Sequence, residues 1–211
     1  MRNKKDFPKK DVMASLIGSA ANRACDIEDV LEQTVQELRV DPMEIIKVAN
    51  LYTERKRAMG AMDFDDLLVN GLRLLVEHDA VREYYQNRFR HVLVDEYQDT
   101  NLLQARMVDI LGGLSRNVMA VGDDFQCIYS WRGADFKNIM EFPKHWDGCR
   151  IVKLERNYRS VPEVLAVANA CIQGNPEQFQ KTLRPTRKAH NKPQVFFLRD
   201  GDEQARVSFW P

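Results

Sequence analysis

The sequence has no apolar run approaching the roughly 18 residues that a membrane-spanning helix needs. It has no charge excess either: 31 Lys plus Arg against 31 Asp plus Glu give a formal net charge of zero. Bulk charge therefore makes no case for nucleic acid, and any basic surface must be local. The four cysteines, Cys25, Cys127, Cys149 and Cys171, are scattered, with no CxxC pair and no zinc spacing. That excludes a disulfide framework or zinc module and suits thiols in a reducing compartment. No glycine is followed by lysine, so the phosphate-cradling GxxxxGK[ST] loop is absent. The start, MRNKKDFPKKD, is basic but has no apolar core behind it, which is not the pattern of a secretory signal. What remains is an ordinary globular composition, 211 residues at 44% hydrophobic and 29% charged, enough for one large domain or two small ones.

The most informative stretch is RHVLVDEYQDTNLLQ, Arg90 to Gln104. His91–Val94 is a short β-branched run suited to a buried strand. Asp95 and Glu96 follow directly, then amides, Asp99 and Thr100. A helical pattern of Leu103, Met107, Ile110 and Leu114 begins after them. Acids at the carboxyl end of a strand, just before a helix, occupy the place where open parallel sheets bind ligands. A carboxylate there can hold Mg²⁺, usually through water, and its neighbour can take a proton from an attacking water. The alternative is a polar turn capping a helix, with Thr100 as N-cap.

Upstream, Val12 to Tyr52 reads as helical. Ile27, Val30, Leu31, Val35 and Leu38 form one stripe, and Asp41-Pro42 opens a helix carrying Met43, Ile46, Val48 and Leu51. Residues 1–10 read as a frayed polar end. Asp63 caps a further helix, with Phe64, Leu67, Leu68, Leu72 and Leu75 expected on its buried side.

Two more segments carry chemistry. Asn117–Val121 is a second strand-like run, followed through Asp135 by GDDFQCIYSWRGAD. Tyr129, Trp131 and Arg132 lie close together there, and an aromatic beside an arginine makes a platform for an unstacked base worth about 1–3 kcal/mol. The alternative is a core Trp131 and a solvated Arg132. Ile151–Leu154 is a third strand-like run, leading into LERNYRS, with Ser160 and Glu163 as a capping box for the next helix. Arg159 before a helix can serve a phosphate as a forked donor or pair with an acid. A basic segment, Lys181, Arg184, Arg187, Lys188 and Lys192, reads as a solvated loop with backbone phosphate as an alternative partner. Gln194–Leu198 reads as one more strand, and a helix starts at Asp202.

DEYQDTN after an apolar strand, VGDDFQCIYSWRGAD and LERNYRS, in that order, resemble motifs II (Walker B), III and IV of the UvrD/Rep-type superfamily 1 ATP-dependent DNA helicases. MDFDDLL resembles the segment in which that family's chain re-enters its ATPase core; no catalytic role comes with it for Asp63, Asp65 or Asp66. The resemblance implies that Asp95 holds Mg²⁺ and Glu96 activates water. It also implies that Gln126 senses the γ-phosphate, that Tyr158 packs on adenine, and that Arg159 acts as a finger. Such fingers are worth about 10³–10⁵ in rate. Tyr129, Trp131 and Arg132 would meet single-stranded DNA, with Trp131 stacking on a base. Cys127 departs from the family's usual serine, a swap that preserves size.

The expected fold is α/β: an incomplete RecA-like (P-loop NTPase) parallel sheet flanked by helices, with strands near 91–94, 118–121 and 151–154, after an N-terminal all-helical subdomain. The expected parts are 1–60 (partial 1B-like subdomain), 61–153 (lobe 1A without its P-loop half) and 154–211 (the beginning of lobe 2A). The expected function is part of an ATP-dependent, 3′–5′ DNA helicase or translocase. ATP and Mg²⁺ are its cofactors, bound weakly or not at all without the P-loop. Its partners are single-stranded DNA or a single/double-strand junction, together with repair or replication proteins, and no membrane. The resemblance places it in the bacterial cytoplasm at the nucleoid. The resemblance covers a middle slice of the family's length, so the chain reads as a fragment with an exposed sheet edge. The alternatives are a non-catalytic remnant that binds DNA or protein, and a Mg²⁺-dependent nuclease built on Asp95, Glu96 and Asp99.

Overall fold

Capping residues and short β-branched runs set the element boundaries. The computed structural model describes residues 7–34, 40–130 and 133–208 and divides at Arg150/Ile151 into two compact units. In the first unit the helices are α1 (Lys10–Arg23), α2 (Ile27–Thr34), α3 (Pro42–Ala58), α4 (Phe64–Glu77), α5 (Asp79–Arg88), α6 (Leu102–Gly112) and α7 (Phe136–His145). Strand β1 (Val92–Val94) precedes α6, and β2 (Val118–Ala120) follows it. The second unit holds β3 (Arg156–Asn157), α8 (Pro162–Ile172), β4 (Arg184–Pro185) and α9 (Gly201–Ser208). Among the described residues no helix is long and apolar enough to cross a membrane.

Three helix starts are reciprocal or prolyl caps, which satisfy backbone N–H groups that a first turn leaves unpaired. Asp41 accepts the Met43 amide at 3.0 Å with Pro42 at the first helical position, as the sequence predicts. Asp63 accepts the Asp66 amide at 2.8 Å while Asp66 accepts the Asp63 amide at 3.0 Å. At α6 the cap is Asn101, not the expected Thr100. Asn101 accepts the Gln104 amide and Gln104 returns the bond, both at 2.9 Å. Thr100 is drawn off because its hydroxyl donates to the Tyr97 carbonyl at 2.6 Å.

The helical core is Met13, Leu16, Ala20, Val30, Leu31 and Ile45. Ile27, Val30 and Leu31 meet there as expected; Val35 and Leu38 lie outside the described residues. Along α3 the buried side is Ile45 and Ala49, whereas Met43, Val48 and Leu51 are exposed. The inward stripe is therefore offset from the expected one. Along α4, Leu72 and Leu75 are buried, but Phe64 and Leu67 face solvent.

β1 and β2 pair in parallel, Val92 with Val118 and Val94 with Ala120, with α6 as the crossover. β1 is not the buried strand expected from its composition. Leu93 is 72% exposed and Met119 54%, while Val92, Val94, Val118 and Ala120 are half-buried. One face of this two-stranded ribbon packs on the helices, and among the described residues nothing covers the other.

The second unit departs further from expectation. Residues 151–155 form no strand, and Ile151, Val152 and Leu154 are exposed. Pairing begins only at Arg156, in parallel with Arg184, anchored by the Arg184 amide on the Glu155 carbonyl at 2.7 Å. Residues 194–198 form no strand either, since no ladder partner reaches them. At α8 the N-cap is Val161, with Pro162 in the first turn and no side-chain cap. The expected Ser160–Glu163 box is displaced: the Ser160 amide donates to Asn157 Oδ1 at 2.7 Å, and Glu163 accepts the His190 amide at 3.0 Å. The helix expected from Asp202 is α9.

The α3–α4 corner is locked by charge. Lys56 Nζ lies 2.6 Å from both Asp63 Oδ2 and Asp66 Oδ2, and the Tyr52 hydroxyl donates to Asp63 at 3.0 Å. Burial pushes the Asp63 carboxyl up, but the Lys56 ammonium, the Asp66 amide and Tyr52 outweigh it and hold it below its ordinary 3.8. A carboxyl lowered by folding contributes stability above its unfolded value and loses it as pH falls through the folded one. Lys56→Met should cost about 1–2 kcal/mol at pH 7, between the values for exposed and buried pairs. Urea midpoints should show that difference shrinking below about pH 4; a difference unchanged between pH 7 and pH 3 contradicts the lock.

Candidate functional site

The chain leaves β1 through a strained turn. Glu96 adopts φ 50°, ψ 42°, the left-handed region that costs a non-glycine residue about 1–2 kcal/mol. Asp95 Oδ1 accepts the Glu96 amide at 2.9 Å and steadies that conformation. A 3₁₀ turn, Tyr97–Asp99, follows, closed by the Asp99 amide on the Glu96 carbonyl at 2.9 Å. Tyr97 is buried against Phe142, with ring centroids 5.1 Å apart. Burial, with the Asp109 carboxylate adding to it, pushes the Tyr97 phenol up to about 12.

β2 ends beside it. The Val121 amide donates to the Val94 carbonyl at 2.8 Å, and the Tyr97 amide donates to the Val121 carbonyl at 2.9 Å. The ladder thus runs one step past each strand and holds the two exit turns side by side. The second turn, Asp124–Gln126, is 3₁₀ and capped by Asp123, whose Oδ1 accepts the Phe125 amide at 3.1 Å.

A chain of side-chain hydrogen bonds links the turns. Gln98 Nε2 donates to Glu96 Oε2 at 2.8 Å, Gln98 Oε1 accepts the Asp123 amide at 3.0 Å, and Gln126 Nε2 donates to Asp123 Oδ2 at 2.7 Å. Glu96 and Gln126, singled out from sequence, are thereby brought into one network. Asp95 adjoins it through the Glu96 amide. Tyr129, 37% exposed, follows on the same loop. Trp131 and Arg132 lie outside the described residues.

The far end of that loop is fixed by a second polar cluster. Gly133 has φ 85°, and a Cβ there would meet Asn22 Cβ at 2.9 Å. Ala134 bridges to Asn101, whose Nδ2 donates to Asn22 Oδ1 at 2.6 Å. Asn22 in turn donates to Asp65 Oδ1 at 2.9 Å. Asp63, Asp65 and Asp66 therefore serve caps, an ion pair and this cluster.

In the second unit, Tyr158 is 70% exposed and Arg159 is exposed. Their backbone is held by Asn157 Oδ1, which accepts the Arg159 amide at 2.9 Å, and by Arg187, which donates to the Arg159 carbonyl at 2.9 Å.

Among the described residues no lysine or arginine pairs with Asp95 or Glu96, and both carboxylates are exposed. Adjacent hard-oxygen donors of this kind fit Mg²⁺, which takes one or two carboxylates and keeps several waters. The exposed Tyr158 ring and the Arg159 guanidinium fit a base and a phosphate. No trio of His, Cys, Asp or Glu among the described residues could hold a metal by itself, so Asp95, Glu96 and Asp99 do not form a three-carboxylate centre. Gln98, Asp123, Asn22 and Asn101 were not legible as site residues. Amides carry no periodic signal, and their partners lie up to 79 positions away.

A parallel β–α–β unit with acids on its exit turn defines an α/β domain with its polar site at the strands' carboxyl ends. The profile of the UvrD/REP helicase N-terminal domain matches residues 1–147, and the chain belongs to that family. It is 39% identical over 155 residues to a protein of Rickettsia felis described as a probable DNA helicase II homolog, covering 74% of this chain and 24% of that protein. It is 44% identical over 133 residues to the ATP-dependent DNA helicase Rep of Salmonella typhimurium (63% of this chain, 20% of that one). It is 42% identical over 139 residues to the ATP-dependent DNA helicase PcrA of Staphylococcus aureus (64% and 19%). The chain thus spans about a quarter or less of the length of these relatives.

Gly122 sits where the two turns touch: a Cβ there would lie 2.7 Å from Ile139 Cδ1 and 2.8 Å from Gln98 Oε1. Gly122→Ala should destabilise the chain by about 1–3 kcal/mol through overpacking. Gly201→Ala, where a Cβ meets nothing within 4 Å, should stay within about 0.5 kcal/mol. Equal urea midpoints for the two variants contradict the close approach.

Proposed function

We propose that this chain is part of an ATP-dependent DNA helicase or translocase that moves 3′ to 5′ on single-stranded DNA. The observation that carries the reading is the shared network of the acid pair and Gln126 at the carboxyl ends of paired parallel strands. On this reading residues 1–60 belong to a 1B-like subdomain, 61–153 to a RecA-like lobe 1A and 154–211 to the beginning of lobe 2A.

Mg²⁺·ATP, when bound, supplies the phosphoanhydride and part of the charge neutralisation. Asp95 would hold the metal; in the second unit, taken by itself, Tyr158 would offer its ring to a base and Arg159 its guanidinium to a phosphate. Glu96 accepts a proton from the attacking water, a task for a carboxylate within hydrogen-bond reach of it. Gln98 fixes one Glu96 oxygen, leaving the other to face water. Gln126, oriented by Asp123, offers its amide to the terminal phosphate. Tyr129, Trp131 and Arg132 grip DNA by stacking and charge. The soluble setting is the bacterial cytoplasm, with a single/double-strand junction as substrate and repair or replication proteins as partners.

A second reading, a DNA- or protein-binding module without turnover, concerns this 211-residue chain taken by itself, whose sequence contains no GxxxxGK[ST]. Phosphates then lack their backbone cradle. The helicase reading and the DNA-binding form of the second reading both require single-strand binding through Tyr129, Trp131 and Arg132, and they differ in hydrolysis. Anisotropy of a labelled oligothymidylate should rise with the 211-residue chain, and Trp131→Ala should weaken binding about tenfold, within the 1–3 kcal/mol of a lost stack. Affinity unchanged by Trp131→Ala contradicts the DNA assignment. DNA-stimulated ATP hydrolysis is expected near background. Turnover that survives Glu96→Gln contradicts the role given to Glu96.

A further inference from the structure

Gln98 is a polar side chain that is 2% exposed, and both ends of its amide are used. Burying an amide is costly unless donor and acceptor are each satisfied. Here the Nε2 end meets a carboxylate on one exit turn and the Oε1 end meets a backbone amide on the other. The flipped amide would set its NH₂ against the Asp123 N–H, so the network itself fixes the orientation. Glutamate at this position would bring two acceptors, and methionine would bring neither polar partner, so only an amide of this length spans the gap. Gly122 closes the space around it, with a would-be Cβ 2.8 Å from Gln98 Oε1.

Resting on the nucleotide-site reading above, we infer that Gln98 is a positioning residue that ties the Glu96 carboxylate to the Asp123–Tyr129 turn, so that the state of the acid is felt at the DNA loop. Four bonds make the path: Gln98 Nε2 to Glu96, the Asp123 amide to Gln98 Oε1, and Gln126 Nε2 and the Phe125 amide to the Asp123 carboxylate. The loop's other end cannot follow, because Gly133 is seated on Asn22 and the Thr100 carbonyl holds both the Asp135 amide, at 3.1 Å, and Asn138 Nδ2, at 2.9 Å. A displacement entering at Asp123 therefore meets a fixed end at Gly133, and Tyr129 lies between the two in sequence.

The test is amide hydrogen exchange of Asp123 in the full 211-residue chain, read residue by residue. Removing a partner of a buried hydrogen bond loosens local opening by about tenfold in exchange rate. Glu96→Ala should speed Asp123 exchange by that factor. Glu96→Gln keeps an acceptor for Gln98 and should leave the rate within about twofold, although the same substitution removes the carboxylate assigned to the chemistry. In a Gln98→Met background Asp123 should already exchange fast, and Glu96→Ala should add nothing. Exchange at Leu31 and Ile45 in the helical core reports that each variant is folded; if Gln98→Met is not, the Ala–Gln contrast at Glu96 decides alone. The proposal is overturned if Glu96→Ala leaves Asp123 exchange unchanged, or if Glu96→Gln speeds it equally. Hydrolysis clearly above background that survives Glu96→Gln, with the Ala–Gln contrast intact, counts against the nucleotide reading and leaves the positioning role standing.

Discussion

Two backbone hydrogen bonds, Val121 N–H to Val94 and Tyr97 N–H to Val121, govern the rest of the structure. They extend a parallel ladder of only three residue pairs by one step and force both chains to turn at the same level. Parallel strands need a long crossover, and α6 provides it. Its start is fixed by the Asn101–Gln104 box, so the acid pair, the cap and the helix follow within a few residues of the strand. The strained Glu96 conformation persists because Asp95, Gln98 and the 3₁₀ turn together over-determine it.

A ribbon this small cannot bury both of its faces. Leu93 and Met119 remain exposed, as do Ile151, Val152, Leu154 and Phe197 in the second unit. The stability of the first unit comes instead from its helical core and from polar joints: Lys56 between two aspartates, and Asn22 between Asn101 and Asp65. The Asn22 joint also fixes the far end of the loop bearing Tyr129.

What could be read from sequence was local. Asp41, Asp63 and the Asp95–Glu96 turn announce themselves because cap and turn chemistry act within three or four residues. Thr100 and Asn101 are both good caps, and only the placement of Gln104 and the competing Tyr97 carbonyl decide between them. Strand identity at 151–154 and 194–198 was not readable, because a β-branched run becomes a strand only when a distant partner meets it. Arg156, with no β propensity to recommend it, pairs because Arg184 is brought alongside. Gln98 is the clearest case: its type suggests solvent, and its burial depends on Gly122 and Asp123, more than twenty residues later.

On the proposed reading Asp95 takes a divalent cation at the end of a paired strand, with Glu96 and Gln126 in the hydrogen-bond network beside it. Titrating Mn²⁺ into the isotope-labelled chain tests it directly, since the ion takes the same oxygen donors as Mg²⁺ and broadens nearby amides. The account predicts that Asp95, Glu96 and Tyr97 broaden together with Asp123–Gln126, ahead of every other acidic cluster. Broadening that falls first on Asp63–Asp66 or Asp202–Glu203, with the 95–97 and 123–126 amides unaffected, would contradict it.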